Sequence, residues 1–241
     1  MNINDIRQIL FEKSPLPKED TEMIYKKYFV PGYAGIRAIN KFLHVNTNNM
    51  KILDVGCSYG QHLINFSKKS IGIDVNPNSI KFAKSIGLNV IKLNVENNEF
   101  IQLNEKFDLI FAVNIIEHLI APHKFLLDCR KLLHDNNGKI LIGFPNMDNI
   151  LNKGWKAKEH IYAFNEKSMK FLLNRSGYKI IKVFSITTRT PLTILCNFQK
   201  LLKMFLPQMY IYAKKDKNFR YPKKRLDIFK PKWIHDEGYR K

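Results

Sequence analysis

The chain has 241 residues, 45% hydrophobic and 25% charged, which excludes disorder of the whole chain and suits one large domain or a domain with an appended segment. Three cysteines exclude a disulfide scaffold, and no run of about 18 apolar residues offers a membrane-crossing helix. The net charge of +19 is weighted to the end, where residues 186–241 hold fourteen Lys and Arg against four acids. Such a balance attracts an anionic small molecule, nucleic acid or membrane surface, or simply solvates the surface. Free thiols and an N-terminus without a secretory pattern make the cytoplasm the expected location.

Two short helices are expected over 5–12 and 18–29, parted by Ser14-Pro15-Leu16-Pro17. A break is expected at Pro31-Gly32, then a helix from Gly35 to Leu43. From Lys51 the pattern changes to β-branched runs alternating with helical stretches. Strands are predicted over 51–56, 70–75, 89–95, 106–114, 139–146 and 178–186, and helices over 60–69, 77–87, 123–134 and 166–177. The helix over 77–87 opens on Pro77 and stops at Gly87. This alternation predicts an α/β fold, a doubly wound and largely parallel sheet over 45–187. Its ligand belongs beyond the carboxyl ends of the strands. Residues 1–44 form an N-terminal helical region and 188–241 a basic C-terminal extension.

In that extension, residues 192–206 repeat apolar side chains at helical spacing. An amphipathic helix there can dock on the domain, on a second copy in a homodimer, or peripherally on an anionic membrane; docking is favoured. Residues 214–233 interleave nine basic side chains with aromatics, which suits single-stranded RNA or a phosphorylated substrate as well as a solvated tail.

The strongest local signal is Asp54-Val55-Gly56-Cys57-Ser58-Tyr59-Gly60 between a strand and the following segment. Gly56 permits a tight turn and a close backbone approach to a ligand, and Gly60 permits close packing. Asp74 ends the second strand about 20 residues later, where a carboxylate can accept both hydroxyls of a ribose. The G-x-x-x-G spacing is not that of a pyrophosphate-binding loop. Glu117 and His118 follow the fourth strand, and His160 follows the fifth, so both histidines are expected at one mouth of the sheet. Histidine is the side chain best suited to remove a proton near neutral pH.

The run 54–60, Asp74, Phe107-Asp108-Leu109-Ile110 and Asn114-Ile115-Ile116-Glu117-His118-Leu119 together resemble the class I S-adenosylmethionine-dependent methyltransferases. The resemblance covers roughly 45–185. It implies a Rossmann-like, seven-stranded, mostly parallel sheet under an N-terminal helical lid, with Tyr33 a lid residue, and S-adenosylmethionine as cofactor. By position, Asp54, Gly56, Cys57 and Gly60 would line the methionine moiety, and Arg37 would pair with its carboxylate or stand as a surface charge. Asp74 with Val75 would hold the ribose, and Asn94, Val95 and Glu96 the adenine. Asn114 would lie beside the methyl group, with Glu117, His118 and His160 as catalytic residues. The layout also resembles a metal-using subset, the small-RNA 2′-O- and ubiquinone-pathway O-methyltransferases, which carry E-x-x-E-H after strand four. Here Asn114 replaces the first acid, and a metal-free site is favoured over one holding a divalent ion. The expected acceptor is a small polar molecule, anionic or nucleotide-linked, methylated on oxygen or nitrogen. RNA is the alternative, and a non-catalytic cofactor-binding scaffold a further one.

Overall fold

The computed structural model describes residues 2–150, 154–185 and 206–220. The helix expected over 192–206 lies outside these residues except for its last position, and the tail from 221 onward lies outside them too.

The sheet has seven strands: β1 (Ile52–Val55), β2 (Ile71–Asp74), β3 (Val90–Lys92), β4 (Leu109–Val113), β5 (Lys139–Pro145), β6 (Tyr178–Ser185) and β7 (Gln208–Lys215). Their order is β3-β2-β1-β4-β5-β7-β6. Strands β1 to β5 pair in parallel, with Leu53 opposite both Ile71 and Ile110. β7 runs antiparallel to both neighbours, from Lys139 opposite Lys214 to Pro145 opposite Gln208. It was not among the strands expected from the sequence, and it lies beyond residue 187 at the head of the basic run. Met209 and Ile211 nevertheless alternate with Tyr210 and Tyr212 at the strand period of two.

That period divides the core. Leu53, Val55, Ile110, Ala112, Ile140 and Ile142 point to one face, where α5 (Pro122–Leu132) and α6 (Glu166–Arg175) cover them with Phe125, Cys129, Met169 and Leu173. Ile52, Leu109, Phe111 and Leu141 point to the other, under α3 (Val30–Leu43) and α4 (Pro77–Ser85). Both faces are buried, so the strands read as continuous apolar runs.

The N-terminal helices α1 (Ile3–Lys13) and α2 (Lys18–Ile24) form a third cluster, with Ile6, Leu10, Ile24 and Phe29 against Ile64, Phe82 and Ile86. The break expected at Pro31-Gly32 is absent. A π-helical turn over Tyr25–Phe29 runs directly into α3. Pro31 lies within this continuous helix, and the wider turn before it relieves the clash of its ring. The helix expected over 60–69 is also absent. Gly60 is left-handed at φ +87°, and a single 3₁₀ turn over Leu63–Asn65 turns Leu63 and Ile64 inward.

Among the described residues β7 is the strand that pairs with β6 and joins it to the sheet. A chain ending at residue 187 should therefore leave β6 unpaired. Hydrogen exchange should find the amides of 178–185 unprotected, with a broadened and lowered melting transition.

Candidate active site

The turn after β1 is wound tightly. Gly56, Ser58 and Gly60 are all left-handed, at φ +69°, +48° and +87°. Gly56 and Cys57 donate their amides to the Ile73 carbonyl at 2.8 and 3.0 Å, which ties the turn to β2. A Cβ on Gly56 would stand 2.0 Å from the Ile115 side chain, so only glycine fits between the turn and the loop after β4. Gly60 presses on Leu88 in the same way, and Gly32 of α3 sits against Gln61.

Asp74 accepts the Ser58 amide at 2.9 Å and the Asn76 amide at 2.8 Å, so it locks the turn in addition to facing any ligand. Asp54 is 1% exposed and its Oδ2 has no hydrogen-bond partner among the described residues. Burial, reinforced by the Asp74 charge, raises its carboxyl well above the usual range, opposed by a hydrogen bond from the Leu63 backbone. Gln61 Oε1 is buried without a partner as well. Burial lowers the His62 ring to about 4, so it stays neutral. The Cys57 thiol is pushed up, chiefly by burial, and offers its backbone rather than a thiolate.

Val75 is exposed at the end of β2 and lines a cavity of about 290 Å³ with Lys92, Leu93, Asn94, Asn97 and Glu99. Asn94 Oδ1 accepts the Glu96 amide at 3.0 Å. Val95 packs its side chain into the core. Glu96 spends one carboxylate oxygen on the amides of Ile120 and Ala121, at 2.8 and 3.0 Å. Arg37 donates to the Tyr33 hydroxyl at 2.9 Å, and the two residues stand together on α3.

The loops after β4 and β5 converge. Asn114 is left-handed at φ +56°, and its Oδ1 accepts Gln208 Nε2 at 2.6 Å. The Glu117 carbonyl accepts the Ile161 and Tyr162 amides at 2.8 and 3.1 Å, which draws His160 over Glu117. The His118 and His160 rings meet edge to face with centroids 4.7 Å apart. One ligand atom from each of Glu117, His118 and His160 lies within 4.8 Å of the others. Glu117 is 1% exposed, and neither of its oxygens has a partner among the described residues. Burial pushes its carboxyl up to about 7. His118 Nδ1 lies 3.1 Å from the Glu159 carbonyl, so in the neutral ring the proton sits on Nδ1 and Nε2 is the acceptor.

Three predicted residues thus meet at one mouth, beside the turn that carries Gly56. Gln208 was missed because β7 was missed, and Gln61 and Tyr162 carry no local motif. A sheet wound in this order, with a glycine turn after β1 and a paired acid at the end of β2, defines the class I S-adenosylmethionine-dependent methyltransferases. Residues 27–183 match the methyltransferase-domain family, and the chain belongs to it: an enzyme using S-adenosylmethionine. It is 28% identical over 171 residues to the uncharacterized protein MJ1123 of Methanocaldococcus jannaschii, covering 68% of this chain and 76% of that one. It is 29% identical over 91 residues to a ubiquinone biosynthesis O-methyltransferase of Cereibacter sphaeroides, covering 35% of this chain and only 37% of that relative. A SAM-dependent methyltransferase from Archaeoglobus fulgidus shares the fold, with a TM-score of 0.60 at 20% identity over 80% of this chain and 99% of that one.

The raised Asp54 carboxyl has a thermodynamic sign. A carboxyl lifted above its unfolded value of 3.8 favours the native state less as pH rises beyond that value, because the unfolded chain sheds the proton first. Asp54→Asn should therefore melt above the parent at pH 8, by about 1–3 kcal/mol in stability. The advantage should shrink as pH falls toward 4 in thermal scans.

Proposed function

We propose that this chain transfers a methyl group to a hydroxyl oxygen of a small-molecule acceptor seated at Glu117, His118 and His160. The observation that carries the reading is the Glu117 carboxylate, buried beside two histidines with both oxygens unpartnered among the described residues. The Cereibacter relative, named an O-methyltransferase, supports oxygen over nitrogen.

The residues suit the cofactor. The unpartnered Asp54 Oδ2 is placed to accept from the methionine ammonium, which would return the carboxyl to its charged form. The Gly56 and Cys57 backbone would line the methionine moiety, and Asp74, with lone pairs beyond those taken by the Ser58 and Asn76 amides, would accept the ribose hydroxyls. Val75 and Asn94, which line the cavity of about 290 Å³, would wall the adenine. Bound there, S-adenosylmethionine supplies an electrophilic methyl group on its sulfonium sulfur. His118 Nε2 would take the acceptor's hydroxyl proton as the methyl group is transferred to that oxygen. Glu117 and His160 hold the acceptor in line, which supplies much of the rate.

A divalent cation is the second reading, favoured by one specific observation: three ligand atoms within 4.8 Å, one of them on an unpartnered buried carboxylate. Glu117, His118 and His160 would hold the ion and leave positions for oxygen atoms. Asn114 would stay out, because its oxygen is engaged by Gln208.

The test uses labelled S-adenosylmethionine with cell extract split into small molecules and RNA, with and without chelator. Label should enter small molecules. Indifference to chelator keeps the metal-free site, whereas loss restored by added divalent ion establishes the second reading. Label in RNA alone overturns the small-molecule acceptor. His118→Ala should lower turnover about 10²–10⁴-fold while S-adenosylhomocysteine affinity in calorimetry holds. Near-normal turnover would reduce His118 to a loop anchor.

A further inference from the structure

A cavity of about 910 Å³ follows α5 from Lys124 to Lys131 and is bounded by the turn before β5 and by Lys215 and Lys217 at the end of β7. The Lys215 amide donates to the Gly138 carbonyl at 3.0 Å, and Lys139 stands opposite Lys214. These pairs lie at the amino end of β5, whereas the glycine turn and the loops that carry the histidines follow the carboxyl ends of their strands.

The lining carries five Lys and Arg against two acids, and the acids do not neutralise it. Asp128 is 3% exposed, and its two oxygens accept one ammonium each, from Lys124 at 2.7 Å and from Lys131 at 2.8 Å. One carboxylate thus fixes two cations and leaves each with donors to spare. Arg130 spends two N–H groups on the Gly177 and Asp216 carbonyls, at 2.8 and 2.6 Å, and pairs with no carboxylate among the described residues. The Lys215 side chain is 12% exposed, and its ammonium donates to Asp135 Oδ1 at 2.5 Å and to the Leu133 carbonyl at 3.4 Å. Asp135 itself is 79% exposed. The Lys215 hydrogen bond, with the charges of Lys106 and Arg130 behind it, holds the Asp135 carboxyl below its usual value.

A mostly buried cation is therefore served by a carboxylate that solvent surrounds and that can turn away. An incoming carboxylate gains nothing by displacing a tethered one. A phosphate does gain, because it brings up to two charges and three acceptor oxygens. Further phosphates on the same ligand would take the spare donors of Lys124 and Lys131 along α5. We propose that this cavity seats a ligand bearing several phosphates close together, with Lys215 receiving one of them in place of Asp135. Residues 221–241, which follow it in the chain, carry seven Lys and Arg against three acids, so charge opposes their filling it. The seat is separate from the transfer site, since none of its lining residues is one assigned to cofactor or acceptor.

The test is calorimetry on the full chain at low salt with tripolyphosphate, orthophosphate and citrate. Tripolyphosphate should bind one per chain, more tightly than either control. Asp135→Asn should tighten it about two- to fivefold by removing the competing carboxylate. Lys131→Gln/Lys217→Gln, which leaves Asp128 its bond from Lys124, should weaken it about tenfold. Asp20→Asn, the same change of charge on the exposed start of α2, should leave it unchanged. S-adenosylhomocysteine affinity should hold in every variant. Citrate binding as tightly as tripolyphosphate, no response to Asp135→Asn, no loss in the lysine variant, or an equal response to Asp20→Asn would each overturn the proposal. A short oligouridylate identifies the source of the phosphates. Binding tighter than that of tripolyphosphate and sensitive to the same variants assigns them to a nucleic-acid strand, and weaker binding assigns them to a small polyphosphorylated molecule.

Discussion

The peptide carbonyl of Glu117 accepts two amides, from Ile161 and Tyr162, and the arrangement of the mouth hangs on that clasp. Parallel strands bring the loops after β4 and β5 to the same edge of the sheet, but an edge alone does not place one histidine ring against another. The clasp does so, because it fixes the loop after β5 to the one residue whose carboxylate is buried beneath both rings. A change in one loop is therefore felt in the other.

The site is held at a cost the rest of the sheet absorbs. Asp54 and Glu117 are buried carboxyls with oxygens that have no partner among the described residues, which disfavours their charged forms and weakens the native state near neutral pH. Two packed apolar faces and the N-terminal cluster offset this. The pattern is that of a fold carrying unsatisfied groups where a ligand is to satisfy them. It explains why the empty protein is expected to gain stability from a substitution that impairs its chemistry.

The glycine turn after β1 and its acid on β2 were legible in the sequence because their signals are local. Gly56, Gly60 and Asp74 lie at the ends of strands that a few consecutive residues announce, and the turn they build depends on backbone freedom and one carboxylate. The mouth was legible in part. Glu117, His118 and His160 could be placed beyond strand ends, but the clasp between their loops is a contact across more than 40 residues that no local pattern carries. β7 was hidden for the same reason: Met209 to Ala213 is a short strand between segments with other signatures, and its partners are far off in the chain. Gln208, the residue that engages Asn114, went unseen with it. The continuous helix through Pro31 escaped because a π-helical turn, which proline's usual signal does not anticipate, widened the backbone first.

The position of β7 has a consequence for the order in which the chain is made. β6 leaves the ribosome before β7, yet it has no pairing with β5 and waits at the margin of an unfinished sheet until Gln208–Lys215 follows. During that interval the outer ladder of β5 is open as well, and both are templates for pairing with another nascent chain. Among the described residues the last strand synthesised is inserted between two that already exist. Its arrival fills the gap between β5 and β6 and delivers Gln208 to Asn114 in one step, so the mouth is complete only once β7 has emerged.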